Sequence, residues 1–431
     1  MAPNKIIIDT DPGVDDVLAL LLAFAAKPEE LEVLMLSLTF GNVEVQNCLR
    51  NVVTLFHYIE KEKAWRRGNG RPEGFEGLAA RKPIVAVGAE EPLAEHMMVA
   101  DFFHGVDGLG GIHHSHPHMS PEETWKSLFK PTPEPLSPEE AADLQKVKEA
   151  HSLFTPSLKP AHEEMLKLLR DNEPDTITIV AIGPLTNLAI AAATDPEAFL
   201  RVKEVVVMGG AVNWPGNMTP GAEFNTYADS IAAARVYALT SPNPKTTLPP
   251  VMGKKALPPY PEKLSRQLTV KLFPLDITEQ HLLPRTLYSK YIEADALKES
   301  PLTEWASLFL LSTFRKIASL DSHLDADTIG LHLHDPLTVW YAMAAGDEGW
   351  KFVTEDLRVE TSGQWTRGCC IVDRRERQVK QGLTSSLDEE VVGDAGGWRD
   401  ARRGNRVQRA IESPGAEKFA GLLLERVFGS V

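Results

Sequence analysis

The stretch KIIIDTDPGVDDVLALLLAF, Lys5 to Phe24, decides the fold. Its first part, KIIIDTD, is apolar without polar alternation up to an acidic end, the pattern of a strand buried on both faces. Its last part, VDDVLALLLAF, reads as an apolar helix, and Pro12 and Gly13 make the turn between them. The form returns along the chain. LEVLMLSLTFGN (Leu31 to Asn42) reads as a second apolar strand ending in Gly-Asn. PIVAVGAEEPL (Pro83 to Leu93) and ITIVAIGPLTNLAIAAA (Ile177 to Ala193) each read as strand, small-residue turn and helix, and VKEVVVMGGAV (Val202 to Val212) is another. The expected fold class is therefore α/β, an open, mostly parallel sheet covered by helices on both faces. Ligands bind such sheets outside the carboxyl ends of the strands. The polar clusters of this chain stand at those ends.

Hydrophobic residues make up 43% of the 431 residues, enough for one large domain over 1–431 with insertions. Two stretches break the pattern and read as surface insertions: residues 110–160, rich in His, Pro and Glu, and residues 241–264, rich in Pro and Lys. Residues 385–404 form a third irregular stretch before a final strand and the helix GAEKFAGLLLERVF. A formal net charge of −15 argues against nucleic acid as a partner and favours cations. The three cysteines, Cys48, Cys369 and Cys370, make no disulfide framework, so the expected setting is reduced and cytoplasmic. The longest apolar run, VLALLLAFAA (Val17 to Ala26), is about half of what spans a bilayer, so no membrane is expected.

DTDPGVDD, Asp9 to Asp16, places four carboxylates among eight residues. One or two serve as N-cap or first-turn acids of the helix; four exceed that role. A hard divalent cation relieves the repulsion, since Ca²⁺ and Mg²⁺ take carboxylate oxygens. Phosphotransferases of the haloacid dehalogenase type also open with Asp-x-Asp, but need Thr or Val where this chain has Gly13. Metal-dependent glycosyltransferases use Asp-x-Asp without the Asp-Asp pair that follows here.

The octapeptide resembles the signature of the nucleoside hydrolases, the inosine–uridine-preferring nucleoside N-ribohydrolases, at every fixed position. Further stretches resemble that family in its own order: TFGN (Thr39 to Asn42), HGVDGLGG (His104 to Gly111), GPLTNLA (Gly183 to Ala189), VVMGGA (Val206 to Ala211), GAEFNTYAD (Gly221 to Asp229), HDPLTV (His334 to Val339) and ETSGQWTRGCCIVDRR (Glu360 to Arg375). The resemblance implies a Rossmann-like nucleoside hydrolase fold and hydrolysis of the N-glycosidic bond of a ribonucleoside, inosine or uridine for example. By that resemblance Asp11, Asp16, Asp335 and the main-chain carbonyl of Ile182 would hold Ca²⁺. Asp11 would be the general base and Asn42 would orient the water. Asp15 and Asn225 would hold the secondary ribose hydroxyls, with Asn217 and Glu223 near the 5′ end. His334 would protonate the leaving base, and His104 would sit on a lid loop over the substrate. A net of this kind rejects deoxyribonucleosides, because it would leave buried polar groups unpaired.

The family pattern is interrupted in the base pocket. Glu279 follows PLDIT where many members have His, and the Leu308 to His323 helix offers Phe314 where a Tyr or similar residue is expected. The alternatives are a hydrolase of another riboside, such as nicotinamide riboside, and a non-catalytic nucleoside- or ribose-binding protein on the same fold. Retention of the general base speaks against the second. The resemblance leaves open a homo-oligomer, a dimer or a tetramer. The HHSHPH run (His113 to His118) reads as a solvated loop rather than a transition-metal tract.

Overall fold

The computed structural model describes residues 2–131, 136–250, 256–320, 329–375, 378 and 391–430. Seven strands come in chain order first: β1 (Asn4–Thr10), β2 (Leu31–Leu38), β3 (Ile84–Val87), β4 (Thr155–Pro156), β5 (Ile177–Ala181), β6 (Glu204–Met208) and β7 (Val270–Phe273). β8 (Leu282–Pro284) and β9 (Gly330–His332) pair with each other, and β10 (Lys351–Glu355) follows. β11 (Arg358–Val359) and β12 (Cys370–Ile371) form a second small pair, and β13 (Val407–Glu412) closes the series.

The main sheet has nine strands in the order β10-β13-β7-β6-β5-β1-β2-β3-β4. Every neighbouring pair is parallel except β10 with β13 at one edge. The chain moves outward from β1 through β2 and β3, then returns to the other flank of β1 as β5. The crevice between β1 and β5 is thus the topological switch point, where such sheets bind ligands.

The triple Ile of β1 shows why the strand is apolar throughout. Ile6 and Ile8 enter the core on one face, with the helices Val14–Ala25, Val45–Gly68, Pro301–Leu320 and Ala416–Phe428. Ile7 enters the core on the other, with Ala161–Asp171, Thr186–Thr194 and Ser230–Ala238. Period-two alternation sends neighbours to opposite faces, and each such side chain contributes about 1.5–3 kcal/mol when fully buried.

Several expectations need correction. No helix directly follows the strand in Pro83–Leu93; residues 88–100 are irregular, and a short helix begins only at Asp101. Gly88 sits against the Asn187 side chain and Asn187 Oδ1 accepts the Ala89 N–H, so this segment is pinned to the first turn of the helix Thr186–Thr194 as irregular backbone. The 110–160 stretch is only partly a surface insertion. Its helix Pro138–Ala150 buries no residue, yet Ile112, Trp125, Leu128 and Phe154 join the core and β4 extends the sheet. Part of it, residues 132–135, lies outside the described residues. The same holds for 251–255 of the 241–264 stretch, 321–323 of the Leu308 to His323 helix and 385–390 of the third irregular stretch. Among the described residues no helix is long and apolar enough to cross a membrane.

Candidate active site

β1 ends at Thr10 and the next helix starts at Val14, so the octapeptide folds over the carboxyl end of a central strand. Gly13 caps the helix, and Asp16, three residues on, accepts the Gly13 N–H at 3.0 Å. Asp16 also accepts the Thr10 hydroxyl at 2.6 Å, the Asn42 side-chain amide at 2.8 Å and the Asp11 N–H at 3.3 Å. Three of these donors belong to the turn that presents it and the fourth, Asn42, reaches it from the segment after β2.

Asp11 is fully buried, and its Oδ2 accepts the Asn42 N–H at 2.6 Å. Its Oδ1 is buried without a hydrogen-bond partner. Gly41 after β2 and Gly183 after β5 flank this carboxylate, and a Cβ at either would fall on it. These two glycines bring TFGN and GPLTNLA up to the octapeptide: three strand ends close around one carboxyl group.

Asp335 enters from the helix His334–Met343, which follows β9. Carboxylate oxygens of Asp15, Asp16 and Asp335 all lie within 4.8 Å of one another. Burial raises the pKa of every acid in this group, and the charged neighbours acting on Asp335 are Asp15, Asp16 and Asp11, all of one sign. Asp15 is pushed up to about 7 by burial and then by Asp16. Asp11 is raised by burial, with Asp16 and Asp15 adding to it. Oxygen donors around an ion of calcium size lie about 2.3–2.6 Å from it, hence within about 5 Å of one another. The all-oxygen set therefore fits Ca²⁺ in donor type and spacing.

The remaining candidates fall around this group. Asn225 donates to the Ile182 carbonyl at 3.1 Å, bringing the AEFN segment to the end of β5. Glu223 is buried and caps the short helix Phe224–Ala228, accepting the N–H groups of Asn225, Thr226 and Gly210. Asn217 lies on an exposed loop and accepts the Phe224 N–H at 2.9 Å. Both therefore order the start of the short helix that carries Asn225. His104 is buried, packs against Gly13, and accepts the Val14 N–H on Nδ1 at 3.3 Å. Burial holds its pKa down to about 4. A groove of about 280 Å³ lies between its loop and the helix Pro301–Leu320, with Phe102, Val106 and Lys316 in its walls.

His334 shares a 2.8 Å hydrogen bond between its Nδ1 and the Thr278 hydroxyl. Burial, and then His332 and His104, hold its pKa down to about 3, so the ring is neutral at pH 7 and carries one N–H. The His332 ring stacks on it with centroids 5.6 Å apart, and His332 is 3.1 Å from Glu279. Phe314 is fully buried, its ring 6.0 Å from that of Tyr288.

Several contributors escaped the sequence reading. Thr10 and Thr278 bond directly to site residues, and Asn187 ties Asp9, Ser37 and the Leu38 carbonyl together beneath the site. Asn187 stands inside GPLTNLA, so its motif was visible although its role was not. Asn51 joins the Pro12 and Asp107 carbonyls at 2.8 Å each and meets His113 Nε2 at 2.7 Å. This places buried His113 in a structural network, apart from the exposed His114 and His118 of its histidine run.

Residues 6–394 match the family model described as inosine-uridine preferring nucleoside hydrolase. An uncharacterized protein of Schizosaccharomyces pombe is 29% identical over 86% of this chain and 89% of its own length. A pyrimidine-specific ribonucleoside hydrolase of Salmonella agona is 29% identical over 85% of this chain and 88% of its own. Uridine nucleosidase 1 of Arabidopsis thaliana is 35% identical over 54% of this chain and 53% of its own. Among solved structures, a plant nucleoside hydrolase shares the fold with a TM-score of 0.64 at 23% identity, covering 99% of this chain and all of that one. A purine-preferring ribonucleoside hydrolase from Gardnerella vaginalis does so at 0.61 and 20% identity, covering 99% of this chain and 98% of that one.

Proposed function

The chain belongs to the inosine-uridine preferring nucleoside hydrolases, and from that premise we propose that its site is calcium-dependent and acts first on pyrimidine ribonucleosides. It is a hydrolase of the N-glycosyl bond of ribonucleosides. The observation that carries the calcium reading is the buried group of Asp15, Asp16 and Asp335 beside the unpartnered Oδ1 of Asp11. Buried carboxylates without a counter-charge are costly, and a divalent cation offsets that cost. The pyrimidine reading rests on the relatives, which include a pyrimidine-specific hydrolase and a uridine nucleosidase.

Asp16, Asp335, Asp11 and the Ile182 carbonyl are the proposed calcium ligands. Asp15, whose carboxylate lies close to those of Asp16 and Asp335, is the proposed partner of a ribose hydroxyl bound at the ion. Calcium, when bound, would orient the ribose diol and make a water more acidic. Asp11 then takes the proton of the attacking water, with Asn42 holding the carboxylate through its N–H. Cleavage passes through an oxocarbenium-like state, and the buried carboxylates stabilise the positive charge that builds on the sugar. Asp15 and Asn225 hold the secondary hydroxyls, while Asn217 and Glu223 shape the loop near the 5′ end. His104 packs over the first turn of the helix as part of the lid. His334 acts on the leaving base through its single N–H.

The test is a panel of uridine, cytidine, inosine, nicotinamide riboside and deoxyuridine, followed by release of free sugar. The expected order has uridine or cytidine first and deoxyuridine lower by a large factor, since its missing hydroxyl leaves buried acceptors unpaired. Faster cleavage of inosine would refute the pyrimidine reading, and comparable cleavage of deoxyuridine would refute the ribose net.

A further inference from the structure

His332 and Glu279 lie outside the ribose and calcium residues, yet they reach His334, one through the other. Thr278 and Glu279 are consecutive, at the end of the short helix Leu275–Thr278 that follows β7. The Thr278 hydroxyl meets Nδ1 of His334 at 2.8 Å. Oε2 of Glu279 lies 3.1 Å from Nε2 of His332. The two histidine rings stack, with 5.6 Å between centroids and 28° between planes. Neighbouring side chains of one turn thus hold two stacked rings.

The neutral His334 ring carries a single N–H, so its orientation decides what that N–H can meet. One hydrogen bond at Nδ1 fixes that atom but leaves the ring plane free to swing, because the torsion that turns an imidazole is broad. A flat neighbour restricts the swing, and the separation of these rings lies in the range of attractive offset stacking. His332 can serve only if its own ring is fixed. Its backbone is set at the end of β9, where it pairs with Leu282 of β8. Its Nδ1 is buried without a hydrogen-bond partner, so the polar hold on the ring falls to Glu279 at Nε2. A hydrogen bond from an imidazole N–H to a carboxylate is stronger than one between neutral groups. This gives the acid at position 279, which interrupts the family pattern, a partner on the facing strand.

We infer that His332 and Glu279 are positioning residues for the leaving-group step. Glu279 fixes the His332 ring, and that ring fixes the plane of His334 so that its N–H faces the departing base. The inference rests on the reading of His334 as the residue that acts on that base.

Steady-state rates on uridine and p-nitrophenyl riboside, at saturating Ca²⁺, test it in His332→Ala, His332→Phe and Glu279→Ala, with His334→Ala as reference. Both side chains are partly exposed, so shortening either opens no cavity in the core. His332→Ala should lower kcat on uridine by about tenfold, the effect of losing one stacked ring. Its KM for uridine, and its rate on p-nitrophenyl riboside, should stay within about twofold, because the ribose and the calcium ligands are untouched. His332→Phe keeps a flat ring and should recover kcat to within about threefold of the parent. Glu279→Ala should fall between the two. Equal losses on both substrates in His332→Ala, no loss on either, or a loss carried by KM would overturn the inference. So would His332→Phe as slow as His332→Ala. If His334→Ala itself slows both substrates equally, the reading of His334 fails and takes this inference with it. A selective His334→Ala with an unselective His332→Ala overturns the inference alone.

Discussion

Asp11→Asn is the substitution that tests the proposed general base most directly. The carboxylate is wedged between Gly41 and Gly183, so only an isosteric side chain fits. The Asn42 N–H at 2.6 Å fixes the orientation of the new amide, because it must meet the amide oxygen rather than the NH₂. The NH₂ then occupies the position of Oδ1, which has no hydrogen-bond partner. The fold therefore loses no hydrogen bond and one buried negative charge is removed. Catalysis loses the group that accepts the proton of water, a contribution of about 10²–10⁴-fold in general-base reactions, or about 3–5 kcal/mol in the barrier. Asp11 is also a proposed calcium ligand, so KM is expected to rise as kcat falls, and the assay is run at saturating Ca²⁺. Initial rates of ribose release over a range of uridine concentrations measure both. A kcat within a few-fold of the parent enzyme would refute the assignment of Asp11 as base.

The other predictions concern the leaving base and the buried acids. His334→Ala should slow uridine far more than p-nitrophenyl riboside, whose phenolate leaves without a proton; equal losses on both would make His334 a support for Asp335 and nothing more. Asp9, raised from 3.8 to about 7 by burial against the hydrogen bonds of Ser37 and Asn187, binds a proton in the folded state that it has lost in the unfolded one. Its contribution to stability is complete below pH 4 and is lost as pH rises to about 7, a total of about 4 kcal/mol at about 1.4 kcal/mol per pH unit. Asp9→Asn should remove that dependence and raise Tm at pH 8, since Oδ1 has no partner to lose; an unchanged Tm-against-pH curve in a thermal scan would show that Asp9 is not the group responsible.

The sequence made the octapeptide legible because its chemistry is local. A strand, a Pro-Gly turn and a helix start are short-range signals, and a carboxylate density that only a cation relieves can be read from neighbours alone. The parallel sheet was legible for a related reason: Ile6, Ile7 and Ile8 feed two cores, and only a strand covered on both faces tolerates that run. What closes the site comes from far along the chain. Asp335 reaches Asp15 and Asp16 from the helix after β9, and no periodicity links these segments; resemblance alone pointed to them. The stacked His332 ring with Glu279, and the Thr278 bond to His334, are likewise contacts between elements rather than patterns within one. Trp125 is hidden for another reason. It lies in a 3-10 helix within a stretch of Pro, Glu and His, where composition suggests exposure and no amphipathic period marks the buried side.

The central claim, a calcium site built by Asp11, Asp16, Asp335 and the Ile182 carbonyl, is tested most directly by metal content and ribose release on one preparation. The purified chain should hold about one tightly bound Ca²⁺, lose ribose release when a chelator strips it, and regain it when Ca²⁺ returns. Full activity on uridine in a preparation shown to be free of metal would contradict it.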